Sequence, residues 1–142
     1  MHRSVAVDKI MKRTLERPAV AWLMALLWAS LAFYLLLMPG DNAIVSDTSH
    51  AFGGTVLTDA IGHVILFGVW TGLVYRVFVF YLPRPKAFYA TLGTILVLGT
   101  CIELTQSLVP ERGAAVLDLS ANWLGALLFA GYERLQGQTD LL

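Results

Sequence analysis

Charge is scarce in this chain. Only 14% of its 142 residues are Asp, Glu, Lys or Arg, against about 25% in an ordinary soluble domain. The ten basic and ten acidic residues cancel, which excludes the positive field that nucleic-acid binding needs. A single cysteine, Cys101, excludes an intramolecular disulfide and a cysteine-built metal centre. It reads as a packed apolar residue. A phosphate loop, a nucleophile elbow and a metalloprotease helix motif are all missing. Internal repeats and low-complexity segments are missing too.

What fills the chain instead is apolar. Hydrophobic residues make up 57%, beyond the roughly 45–50% of a soluble domain, and this excess points to a polytopic membrane protein. Four spans are predicted: Ala19 to Met38, Val56 to Leu82, Phe88 to Leu108 and Ala114 to Tyr132. Pro18 suits the first turn of the first span, and Pro39-Gly40 ends it. That run is too long for the apolar part of a secretory signal and lacks a small-x-small cleavage pattern, so it reads as a retained helix. At 1.5 Å per residue it crosses a hydrocarbon core of about 30 Å. Trp22 and Tyr34 lie near its ends as interface anchors. Pro83-Arg84-Pro85-Lys86 reads as a turn between spans two and three. The fold class is therefore all-α, a four-helix transmembrane bundle running up and down over residues 19–134. A basic segment, 1–18, precedes it and a polar tail, 135–142, follows.

Lys and Arg set the orientation. Arg3, Lys9, Lys12, Arg13 and Arg17 precede the first span, Arg76, Arg84 and Lys86 flank the second turn, and Arg134 lies in the tail. The loop from Pro39 to Thr55 has none, and the turn after Leu108 has only Arg112. Both termini are expected in the cytoplasm, with the two poorly basic loops outside. Val7, Ile10, Met11 and Leu15 can share one side of a surface helix, although a basic topology signal is the plainer reading of that segment. His2 belongs to the same basic tail, and His50 reads as a solvated loop residue.

Against this apolar background seven polar residues stand out: Asp59, His63, Glu103, Gln106, Arg112, Asp118 and Asn122. Ionisable groups at membrane depth are costly and mark function by default. Asp59 and His63 are i,i+4, Glu103 and Gln106 i,i+3, Asp118 and Asn122 i,i+4, so each pair shares a helix face. In an up-down bundle all three faces lie within about two turns of the outer boundary. They are expected to meet inside the bundle, because lipid would leave them unpaired. Three carboxylates beside one arginine and one histidine are expected to titrate together. Asp59 is expected to orient His63, and His63 or Glu103 to move a proton, which makes Asp59, His63 and Glu103 the catalytic candidates. Gln106, Arg112, Asp118 and Asn122 are the substrate-binding candidates, with Arg112 pairing an anionic headgroup. No metal and no cofactor is expected, since His63 with Asp59 and Glu103 lacks a ligand motif. The rival reading is a structural clamp of interhelical hydrogen bonds. Gly68-x-x-x-Gly72 suits close helix packing within the bundle, or a membrane-protein partner.

Two motifs add a resemblance. Asp59-x-x-x-His63-x-x-x-Phe67 comes first. Glu103-Leu104-Thr105-Gln106, Arg112 and Asp118-x-x-x-Asn122-x-x-Gly125 follow. In order and spacing, from Asp59 to Gly125, they resemble the signature of VanZ-like membrane proteins. That family commonly has a lysine after the first aspartate; here Ala60 removes that charge. Its namesake confers resistance to teicoplanin, a lipid-tailed glycopeptide acting outside the cytoplasmic membrane. The resemblance implies a cell-envelope role in the bacterial inner membrane, with antibiotic resistance as the namesake's phenotype. The expected ligand is an envelope lipid or lipid-linked precursor, bound or modified by hydrolysis or transfer at its headgroup. A non-enzymatic envelope subunit and a small proton-coupled transporter are the competing readings.

Overall fold

A computed structural model describes residues 17–39, 42–43, 47, 55–110 and 115–139. Nearly all of the basic N-terminal segment, most of the loop from Asp41 to Thr55, and Arg112 lie outside the described residues. Within them the chain is all-helical, with four long helices: α1 (Pro18–Leu37), α2 (Val56–Phe78), α3 (Arg84–Gln106) and α4 (Val116–Thr139).

The helix ends follow local chemistry. Pro18 opens α1, where its missing N–H costs nothing. Thr55 and Thr58 form a reciprocal capping box at the start of α2. Three boundaries differ most from the sequence expectation. α2 stops at Phe78, and the apolar residues after it form tight turns, with Phe80 N–H bonding Val77 O and Tyr81 N–H bonding Phe78 O. α3 begins at Arg84, inside the segment expected to be a turn. Pro83 and Pro85 permit this because proline is tolerated at a helix start. α4 also runs further than expected, through Thr139.

Contacts at each end show that the helices alternate in direction. At one end Gln106 of α3 bonds Leu36 of α1, and His63 of α2 bonds Asn122 of α4. At the other, Trp22 donates to Tyr81 Oη, and Arg134 lies over the Phe88 ring. The core between them is built from Ala32, Leu36, Phe67, Trp70, Ile95, Ile102 and Ala126. Trp28 Nε1 donates to Leu66 O at 3.0 Å and ties α1 to α2. Small residues set the closest approach. A Cβ on Gly125 would lie 2.4 Å from Val64 O and 2.9 Å from Gly68 N, so α2 and α4 cross backbone to backbone. Gly68 faces Gly125 and Gly72 faces Phe129, which places the Gly68-x-x-x-Gly72 stripe against α4 of the same chain.

The outside of the bundle is apolar. Leu23, Leu27, Ile61, Ile65, Val97, Leu124, Leu127 and Leu128 are all exposed. Cys101, expected to pack inside, is exposed as well. So much contiguous apolar surface does not suit water. α1, α2 and α3 are each long and apolar enough to cross a bilayer, as in a multi-pass membrane protein.

Candidate functional site

His63, Glu103 and Asn122 are buried side by side, one from each of α2, α3 and α4. Counted along the helices, His63 and Asn122 sit about 10 Å in from the starts of α2 and α4, and Glu103 about 5 Å from the end of α3. Asn122 is placed by neighbours of low volume. Asn122 lies one turn before Gly125, the point of closest contact with α2. Gly99 of α3 leaves room beside it, since a Cβ there would come within 3.3 Å of Asn122 Cβ.

The hydrogen bonds define the chemistry. His63 Nδ1 is 2.8 Å from Asn122 Oδ1, and Asn122 Nδ2 donates to Glu103 Oε1 at 3.2 Å. An amide nitrogen donates and a carboxylate accepts, so the Asn122 oxygen must take the His63 Nδ1–H. The neutral ring then carries its lone pair on Nε2. Nδ1 also lies 3.7 Å from Glu103 Oε1, an ion pair when the ring is protonated. The other carboxylate oxygen, Oε2, accepts from Ala115 N–H at 3.3 Å. Ala115 O in turn accepts from Leu119 N–H, so Glu103 is bonded to the residue just before α4.

Asp118 completes the group. One atom each from His63, Glu103 and Asp118 lie within 4.8 Å of one another. Asp118 Oδ1 is buried and has no hydrogen-bond partner among the described residues. Two ionised carboxylates no more than 4.8 Å apart would repel by about 3.5 kcal/mol or more at an effective dielectric constant of about 20. Neither carboxylate has a Lys or Arg ion pair among the described residues. Arg112, the expected partner, lies outside the described residues.

The remaining expected residues take different places. Asp59 is exposed near the start of α2, and the His63 ring is held by Asn122 in its stead. Asn122, expected to bond a ligand, spends both ends of its amide on the protein. Gln106 is buried, but its Nε2 donates to Leu36 O at 2.8 Å, satisfying a carbonyl at the end of α1. Its Oε1 has no partner among the described residues. Gln106→Met would remove the bond and the unpartnered oxygen together. The two effects oppose, so a net loss below about 1 kcal/mol is expected in thermal unfolding in detergent. A larger loss would mean that Oε1 has a partner.

No protein-family model matches this chain, and no match was found among curated proteins or solved structures.

Proposed function

We propose that this chain is a four-span protein of the bacterial inner membrane, with both termini in the cytoplasm. In this reading the cluster lies near the extracytoplasmic face and binds or modifies the headgroup of an amphiphilic envelope lipid or lipid-linked precursor. The observation that carries the reading is the buried chain His63–Asn122–Glu103, joined across three helices at membrane depth. Such groups are rarely kept where they serve nothing. The distribution of Lys and Arg supports the orientation. The exposed Leu124, Leu127 and Leu128 support a membrane crossing by α4. The VanZ-like motifs fit the same envelope role.

In this proposal His63, with its Nε2 lone pair, takes or gives a proton, and Asn122 is a positioning residue that holds the ring. Glu103 and Asp118 supply negative charge, and Arg112 pairs with an anionic headgroup. Asp59 stands at the rim. Any bond cleavage is of the hydrolysis or transfer class at the headgroup.

A second reading follows from Asn122, whose amide oxygen and nitrogen each bond another helix of the protein. The cluster then clamps the helices and the chain acts as a non-enzymatic membrane subunit or resistance factor. Native mass spectrometry of the detergent-extracted protein separates the two. Wild type is expected to retain a specific lipid. His63→Ala, Glu103→Gln and Arg112→Ala are expected to lose it while still eluting as folded monodisperse protein. Loss of folded protein in both His63→Ala and Glu103→Gln, with lipid retention unchanged in what remains, would favour the clamp.

A further inference from the structure

We propose that His63, Glu103 and Asp118 together bind one divalent transition-metal ion, of the zinc or manganese type. Sequence spacing pairs His63 with Asp59 and gives no ligand set. The fold pairs it instead with Asp118, a residue of a different helix. One nitrogen and two carboxylate oxygens then converge from α2, α3 and α4, all within 4.8 Å.

Three observations favour an ion over mere proximity. Asp118 belongs to the cluster, and its Oδ1 is a buried acceptor without a hydrogen-bond partner among the described residues. Neither carboxylate has a Lys or Arg ion pair among the described residues, and a divalent cation would supply positive charge between them. His63 also has the support that metal-bound imidazoles have, since its Nδ1–H is held by Asn122 Oδ1 at 2.8 Å. That bond fixes the tautomer with the Nε2 lone pair available. Asn122 holds Glu103 as well, at 3.2 Å, so one amide orients two ligands.

The dimensions fit. Ligands at about 2.0–2.2 Å from a tetrahedral ion stand about 3.3 Å apart. One donor atom from each residue lies within 4.8 Å of the others, so each pair needs to close by at most about 1.5 Å. The donor set selects the ion. An imidazole nitrogen with two carboxylates and no thiolate suits zinc or manganese better than copper(I), calcium or magnesium. Three protein ligands leave a coordination position open for water or an anionic oxygen. An ion here would thus join the two carboxylates to the phosphate of a headgroup. The ion itself does not depend on the lipid reading.

The test uses the full chain in detergent, stripped with EDTA and then titrated with Co²⁺ as a spectroscopic probe and Zn²⁺ as competitor. One ion per chain is expected, with visible d–d bands that Zn²⁺ abolishes. Asp118→Asn, which preserves shape, and His63→Gln are expected to weaken binding by about 100-fold or more. Glu133→Gln, at the far end of the bundle, is expected to bind as wild type. Elution on size exclusion checks that each variant is folded. Substoichiometric binding by wild type, or wild-type affinity in a folded Asp118→Asn, overturns the proposal. Lipid retention measured on the same samples separates the two ideas. An ion without lipid leaves this inference standing and removes the headgroup reading, whereas lipid without an ion does the reverse.

Discussion

Gly125→Ala is expected to break the bundle at its tightest point. The new methyl carbon would stand 2.4 Å from Val64 O and 2.9 Å from Gly68 N. Both are backbone atoms in the body of α2, so no side chain can swing aside. The helices must separate, and the contacts on either side of the crossing loosen with them. Overpacking of a core costs about 1–3 kcal/mol when side chains absorb it, so a backbone collision is expected at or above about 3 kcal/mol. Thermal unfolding in detergent, followed by circular dichroism, reads this directly. Gly62→Ala and Gly93→Ala are the comparison, because a Cβ there meets nothing within 4 Å. Those variants are expected to match wild type or gain up to about 1 kcal/mol from helix propensity. A Gly125→Ala protein as stable as wild type would mean that α2 and α4 do not cross this closely. The His63–Asn122 hydrogen bond would then lose its basis, since Asn122 is one turn from Gly125.

Sequence pattern reached the helices more readily than their partnerships. Four apolar runs announced four helices, and Pro18 with Pro39 marked the ends of α1. The end of α2 was hidden because Val79, Phe80, Tyr81 and Leu82 continue the apolar run while the backbone turns. The start of α3 was hidden because paired prolines signal a break and a helix start equally well. Spacing placed Asp59 and His63 on one face, yet His63 is buried and Asp59 exposed. A common face says nothing about how far along the helix the neighbours extend. The grouping of His63, Glu103 and Asn122 was foreseeable from depth alone, but which side chain holds which was not. Asn122 displaces Asp59 as the partner of His63 because Gly125 brings α4 against α2, a contact between residues far apart in the chain. Gly68-x-x-x-Gly72 signalled a close crossing, and nothing local named α4 as the helix that meets it.

Asn122→Ala is expected to have the second large effect, and its combinations decide what the cluster is for. The substitution leaves His63 Nδ1–H without its acceptor and Glu103 Oε1 without its amide donor, both buried. Polar contacts between membrane helices average only about 0.6 kcal/mol, because the separated helices find other partners. A buried group stripped of its partner costs about 1–3 kcal/mol, and more when charged. With two groups stripped and one a carboxylate, the second magnitude should win, so a loss of about 2–4 kcal/mol is expected. The decisive variant replaces all three polar groups at once: His63→Leu, Glu103→Met and Asn122→Ala. No unpartnered group among the three then remains, and apolar replacement of a buried polar network is often neutral or stabilising. If this triple variant is as stable as wild type or more so, the bundle does not need the cluster in order to fold. Its retention in the chain then requires a ligand, an ion or a reaction. If the triple variant is less stable than Asn122→Ala alone, the hydrogen bonds hold the helices together and the clamp is the better account. Steric trapping in bicelles measures both variants on one scale, against a wild type that retains the full network.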